Sequence, residues 1–197
     1  RFFILEKLAK QQTNYSRIGI LLFVLAVSLL FTGCKSETAQ NPVRVPTREV
    51  ADDLGRRVVI PQKIERAVSL APNLTENIFA VGAGSRLVGV TTFCNYPPEA
   101  EKIAKVSDTQ TPNMEAIIAL KPNVVFVSTA SQLENFTRAL ERQNIAVFVT
   151  NPQNLEGVLQ NLRQFGELFE SSDEAEKLIA ELENRVKAVE ESVGGKP

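Results

Sequence analysis

Residues 123–127, Asn-Val-Val-Phe-Val, form an apolar β-branched and aromatic run without polar alternation. A strand wetted on one face alternates; a strand covered on both faces does not. The run is read as a central strand of a parallel sheet, and the rest of the chain must then supply helices for both faces. The preceding segment fits that demand. Asn113 is a good N-cap, and Glu115 falls in the first helical turn, where negative charge is favoured. Ile117, Ile118 and Leu120 give that helix an apolar side. Pro122 stops it, because proline disfavours helix in the residue before it and offers no N–H. After the run come small, mostly polar residues, Ser128-Thr129-Ala130-Ser131.

The same unit recurs. Arg66–Leu70, Leu87–Thr91 and Ile145–Val149 are further short apolar strands. A helix is expected from Asn73, with Glu76 completing a variant capping box, and Gly82 and Gly84 ending it. A second is expected from Ser131 to Gln143, capped by Ser131 with Glu134. A third runs from Leu155 to Phe169, with apolar residues at 155, 158, 159, 162, 165 and 169 in helical period. Val50–Pro61 reads as a β-hairpin turned at Asp53-Leu54-Gly55. Residues 100–112 show little pattern beyond Lys105-Val106-Ser107. Strands alternating with helices predict an α/β fold with a parallel sheet and flanking helices.

In such a sheet, ligands bind outside the carboxyl ends of the strands. Four loops gather there: 71–73, 92–98, 128–131 and 150–152. Their candidate binding residues are Pro72, Asn73, Phe93, Tyr96, Ser128, Thr129 and Asn151. An exposed aromatic there could stack on a flat ligand or cover the lobe's own edge; the residues alone leave both open. Cys94 reads as a small buried apolar residue. Glu115 reads as a helix-start acid or a docking acid.

Composition narrows the chemistry. The chain has no histidine, which excludes Ser-His-Asp and Cys-His catalysis and a His-ligated zinc within it. The net charge of −1 and the lack of a basic patch argue against nucleic-acid binding. No phosphate-binding GxxxxGK[ST] occurs, and Gly82, Gly84 and Gly89 follow a helix rather than opening one. The pairs Asp52-Asp53 and Asp173-Glu174 are explained by a hairpin turn and a helix first turn.

At the N-terminus, Lys7, Lys10 and Arg17 precede the apolar run Ile18–Phe31. It is shorter than the ~20 residues of a spanning helix and suits a signal peptide. Leu30-Phe31-Thr32-Gly33-Cys34 resembles a bacterial lipobox, which implies lipidation of Cys34 and membrane anchoring through acyl chains. Residues 1–33 are therefore expected to be a lipoprotein signal peptide and 34–49 a lipidated polar tether. An α/β lobe is expected over 50–170. The last element, Ser171–Val193, is a long helix with Ser171 and Glu174 as a capping box. Ala175, Leu178, Ile179, Leu182, Val186 and Val189 form one stripe on it. Leaving a completed lobe with no strand after it, it reads as a connector, and the chain as a portion of a longer protein.

The sequence resembles the helical-backbone class of ABC-importer substrate-binding proteins, which carry cobalamin, ferric siderophores or haem. The resemblance rests on Asp53-Leu54-Gly55-Arg56, Glu65-Arg66-Ala67-Val68-Ser69-Leu70 with Pro72 and Thr75-Glu76, and Gly82 with Leu87-Val88-Gly89-Val90. It continues through Tyr96-Pro97-Pro98, Asn113-Met114-Glu115 and Ala119-Leu120-Lys121-Pro122-Asn123. Asn123 stands where the family usually has aspartate. The resemblance implies two α/β lobes joined by one long helix, with the second lobe beyond Pro197. It implies a monomeric, non-enzymatic, extracytoplasmic lipoprotein that captures a corrinoid or metal chelate as cargo, not as cofactor. It implies that Glu115 docks on an ABC permease. The Tyr96-Pro97-Pro98 loop is most similar to the cobalamin branch; a siderophore or haem ligand is the alternative. A lobe of an α/β metal-cofactor enzyme is a more distant one.

Overall fold

The computed structural model describes residues 45–107, 112–128 and 133–194. The expected signal peptide, Cys34, most of the tether, Thr129 and the Ser131 cap lie outside the described residues. β1 (Thr47–Ala51) and β2 (Arg57–Pro61) pair antiparallel as the expected hairpin. Thr47, Arg48 and Glu49, at the end of the span expected to be a tether, belong to β1.

A five-stranded sheet follows, built from β3 (Ala67–Ser69), β4 (Leu87–Thr91), β5 (Lys105–Ser107), β6 (Val124–Ser128) and β7 (Ala146–Thr150). Its order is β5-β4-β3-β6-β7, and every neighbouring pair is parallel. The sequence pattern had indicated four strands. The fifth, β5, has three residues with a single buried side chain, Val106, and sits at the sheet edge. That is too little burial to imprint a hydrophobic run.

Five helices cover the sheet among the described residues: α1 (Pro72–Ala80), α2 (Met114–Ala119), α3 (Leu133–Glu141), α4 (Leu155–Phe169) and α5 (Ser172–Val193). The central strands divide their side chains between two cores. Val124, Phe126 and Phe148 pack with Leu74, Ile78, Phe165 and Ile179 from α1, α4 and α5. Val125, Val127, Val147 and Val149 pack with Ile117 of α2 and Leu140 of α3 on the opposite face. Phe126 lies at the middle of an aromatic group, its ring centroid 5.7, 5.4 and 5.6 Å from those of Phe148, Phe165 and Phe169. Each fully buried side chain of this size contributes about 1.5–3 kcal/mol relative to exposure. The absence of alternation in 124–127 thus records burial on both faces.

Helix ends follow local chemistry, with two corrections. The Asn113 side chain accepts from the Ala116 N–H at 3.0 Å, and Asn154 caps α4 through Gly157 at 2.8 Å. The expected cap at Asn73 is not formed: α1 begins one residue earlier, at Pro72, with Ala71 as an N-cap that makes no side-chain bond. Proline's fixed φ and missing N–H suit the first helical position, so Pro72 sets the start. Ser171 is the N-cap of α5, but it makes no side-chain cap bond, so the expected capping box is also absent. Glycine ends α1: Gly82 has φ +81, a conformation glycine adopts without Cβ strain.

The hairpin is fastened to the edge strand β7. The Asp52 side chain is fully buried and pairs with Arg56 at 2.7 Å. It accepts the backbone N–H groups of Leu54 at 3.1 Å and Arg56 at 2.9 Å. The Arg56 guanidinium also donates to Val147 O at 3.0 Å, and Asp53 N–H donates to Val149 O at 3.1 Å. This closes a sheet edge that would otherwise present unpaired backbone groups.

Candidate functional site

The crossovers set the position of the site. β3 and β6 are adjacent, yet β3 leads into α1 on one face and β6 leads toward α3 on the other. Where neighbouring strands send their chains to opposite faces, the backbone parts and leaves a crevice at the carboxyl edge. Pro72 and Asn73, at the start of α1, stand on one side of it. Ser128, the last residue of β6, stands on the other, half-buried and in register with Thr150. Asn151 follows β7 directly. Phe93 and Tyr96 follow β4. Six of the seven predicted binding residues thus share one edge of the sheet, and Thr129 lies outside the described residues.

Phe93 is 58% exposed and Tyr96 is 64% exposed. Both residues are thus more than half exposed at the carboxyl edge of the sheet. The residue near them, Cys94, is 1% exposed. Its sulfur lies 3.2 Å from Thr75 Oγ1 on α1 and 3.1 Å from Thr91 Oγ1 at the end of β4. Thr75 Oγ1 is in turn 2.8 Å from Ser69 Oγ on β3. Cys94 is therefore a buried plug, as its sequence context suggested. It pins the loop by a satisfied polar cluster, and the aromatics beside it are held outward. Pro97 follows Tyr96 through a cis peptide bond, and a short 3₁₀ turn over Pro98–Lys102 returns the chain to β5.

Asn151 is partly spoken for. Its N–H donates to Asp53 Oδ2 at 2.7 Å, and its side-chain oxygen accepts from Gln153 Nε2 at 2.8 Å. Asp53 Oδ2 also accepts from the amide of Asn161, which is 3% exposed, at 2.8 Å. Asp53 and Asn161 thus hold the loop after β7 in place. Beyond the hairpin turn and the family motif in which the sequence places it, Asp53 thus serves the loop after β7, and Asn161 stands in helical step with Val158 and Phe165, the one sign in the sequence that it faces inward.

Glu115 is exposed in the first turn of α2, as expected. An isolated bridge joins Ser107 to Pro112, so α2 starts beside the carboxyl end of β5. Asn123, the departure from aspartate, has a clear role. Its side-chain oxygen accepts the N–H groups of Glu65 at 3.0 Å and Arg66 at 2.9 Å. An amide oxygen meets that demand as a carboxylate would, without the charge.

Two concavities lie away from this edge. One of about 630 Å³ sits at the amino ends of β6 and β7, between the hairpin and Pro122, Asn144 and Ile145. Another of about 350 Å³ follows α5 at Leu182, Val186 and Val189. Neither adjoins the aromatic loop. A single lobe edge is an open surface, so the candidate site is recognised by its groups and its place in the topology rather than by enclosed volume. Among the described residues, no group of three or more acidic or cysteine side chains is arranged for a metal. The groups presented at the edge are aromatic rings, amides and hydroxyls, suited to binding rather than to bond-making.

Comparison with known proteins follows the same line. The family model described as periplasmic binding protein matches residues 68–197. An ABC transporter substrate-binding lipoprotein of Bacillus subtilis, YvrC, is 29% identical over 184 residues, covering 89% of this chain and 58% of that protein. A vitamin B12-binding protein of Vibrio campbellii is 32% identical over 127 residues, covering 64% of this chain and 46% of that protein. The chain therefore spans about half the length of these relatives. Among solved structures, the molybdate periplasmic binding protein MolA of Haemophilus influenzae superposes with a TM-score of 0.69 at 25% identity, covering 76% of this chain and 55% of that one. The vitamin B12 binding protein BtuF of Vibrio cholerae gives 0.62 at 25% identity over 68% and 53%. A periplasmic heme binding protein of Pseudomonas aeruginosa shares the fold, with 0.60 at 24% identity over 64% and 45%. The proteins named here are binding proteins rather than enzymes.

Proposed function

The chain belongs to the periplasmic binding protein family, and from that premise we propose that it is the capturing half of an importer's cobalamin-binding protein. Residues 50–170 are the N-terminal lobe, and 171–193 are the helix that joins it to a second lobe. Residues 1–33 are the export signal. Cys34 carries the acyl anchor, and the tether holds the protein at the outer side of the cytoplasmic membrane or at the periplasmic face of a second membrane. Glu115, exposed in the first turn of α2, docks on the ABC permease. The protein acts as a monomer, and the corrinoid is cargo rather than cofactor.

The observation that carries the ligand reading is the pair Phe93 and Tyr96, exposed on a loop whose buried plug, Cys94, fixes it against α1 and β4. A large, flat ring system is matched by rigid aromatic faces and a few neutral polar groups. An oxyanion such as the molybdate of the Haemophilus influenzae relative needs convergent N–H donors and positive charge. The rings and neutral side chains at this edge favour the flat ligand. The vitamin B12-binding relatives add similarity in sequence.

Calorimetry on the full-length protein tests the reading, with cobalamin, a ferric siderophore, haem and molybdate titrated in turn. Cobalamin is expected to bind most tightly, and Tyr96→Ala is expected to weaken it about 10- to 100-fold, from loss of about 1.4–2.8 kcal/mol of ring contact. Tight binding of haem or a ferric siderophore with no cobalamin heat would reject the ligand and retain the transport role.

A further inference from the structure

The loop from Thr92 to Ala104 has a second fastening, made through backbone carbonyls rather than through the Cys94 sulfur. Lys105, the first residue of β5, donates from Nζ to the carbonyl oxygen of Cys94 at 2.7 Å and to that of Ala100 at 3.0 Å. Cys94 and Ala100 are the two buried residues of this loop, at 1% and 0% exposure. They bound the stretch that contains Asn95, Tyr96 and Pro97. One ammonium therefore joins the two inner ends of the segment that carries the exposed tyrosine. A backbone carbonyl buried under a loop needs a donor. The Cys94 carbonyl takes the Lys105 ammonium as its donor, and the Ala100 carbonyl takes it beside the Ile103 N–H, which donates to the same oxygen at 3.3 Å. Lysine suits this position: its three rotatable donors can reach two acceptors that do not lie in one plane, where a planar guanidinium fork prefers a bidentate acceptor.

We propose that Lys105 is a positioning residue for the binding edge: by drawing the Cys94 and Ala100 carbonyls onto one ammonium it fixes where the Tyr96 ring stands. The inference rests on the reading of this edge as a ligand site for its purpose, but not for its test. Sequence gave no hint of the role, since Lys105 there is a charged residue at the start of a weak strand.

The chain has no tryptophan and only two tyrosines, and Tyr96 is the one among the described residues. The full-length protein is labelled with 3-fluorotyrosine, and the Tyr96 resonance is identified by its loss in Tyr96→Phe. In ligand-free Lys105→Met, the Tyr96 fluorine resonance is expected to shift and broaden while the other tyrosine resonances stay in place. Lys105→Gln, which keeps a donor at shorter reach, is expected to fall between Met and wild type, and it replaces Met if that variant does not fold. An unmoved Tyr96 resonance in either folded variant overturns the proposal. A cobalamin titration of the wild type decides the underlying reading separately: absence of binding there defeats the ligand assignment and leaves the fluorine result standing.

Discussion

Replacing Asp52 by alanine should loosen the hairpin from the sheet edge without unfolding the lobe. The carboxylate is fully buried, and Arg56, its partner at 2.7 Å, is 33% exposed. Removal strands the N–H groups of Leu54 and Arg56, bonded to Oδ1 at 3.1 and 2.9 Å. The contact from Val149 N–H to Oδ2, at 3.4 Å, is long and adds little. Two charge-assisted bonds at about 1.5 kcal/mol each set an upper figure near 3 kcal/mol. Re-solvation of the freed N–H groups at the turn lowers this to about 2–3 kcal/mol, and the one-third-exposed Arg56 side chain, screened by water, adds little. Local opening should become about 30- to 150-fold more frequent, at tenfold per 1.4 kcal/mol. Amide hydrogen exchange on the full-length protein reads this directly. Asp53 N–H, which donates to Val149 O, should exchange faster by that factor. Amides in the interior of β6 should not change. Asp52→Asn, which keeps one acceptor oxygen and removes the charge, should lie between the two. Exchange at Asp53 within threefold of wild type in the alanine variant would refute the clasp, and equal acceleration in β6 would show it to be global rather than local.

The remaining expectations concern packing, a substitution within the family pattern and docking. An added Cβ at Gly166 would lie 2.6 Å from Ala175 Cβ and 3.2 Å from Ser172 Cα, so Gly166→Ala should push α5 off α4 at a cost of about 1–3 kcal/mol, seen as a lower melting temperature; an unchanged melt would mean the helices are free to part. Asn123→Asp should leave stability within about 0.5 kcal/mol, because both N–H groups keep their acceptor, whereas Asn123→Leu should lose about 1–2 kcal/mol by denaturant titration; equal losses in the two would show that the side-chain oxygen is not what matters. Glu115→Lys should leave ligand affinity unchanged and reduce uptake by cells at least tenfold; undiminished uptake would return Glu115 to a helix-start acid worth about 0.3–1 kcal/mol.

The parts legible in sequence are those whose cause is local. Runs 124–127 and 145–149 announce a doubly covered strand because each side chain independently needs burial. Asn113 and Asn154 announce helix starts because a cap spans three residues. The sequence places the start of α1 at Asn73 for its capping side chain, whereas proline's fixed φ puts it one residue earlier, at Pro72. β5 was missed because one buried valine carries no period. The fastenings of the site were not legible at all. Asp53 reaches Asn151 and Asn161 across 98 and 108 residues, and Thr75 reaches Cys94 across 19. Such pairs become neighbours only through the strand order. The departure at Asn123 was legible as a difference, but its harmlessness required seeing that two N–H groups, rather than a cation, are what its oxygen serves.

The described strand-end loops of the candidate site share a design that bears on how it would bind. The start of α1 is tied to β3 through Thr75 and Ser69. The aromatic loop is tied to α1 and β4 through Cys94, and to β5 through Lys105. The loop after β7 is tied to the hairpin and α4 through Asp53 and Asn161. The ties at Ser69, Thr75, Cys94, Asp53 and Asn161 come from buried or half-buried groups and that at Lys105 from an exposed one, and together they leave Phe93 and Tyr96 exposed. Ordering a loop on binding costs about 1–2 kcal/mol per residue whose backbone is fixed. A loop already ordered in the free protein spares that cost, so ring contact is returned as affinity rather than offset by ordering.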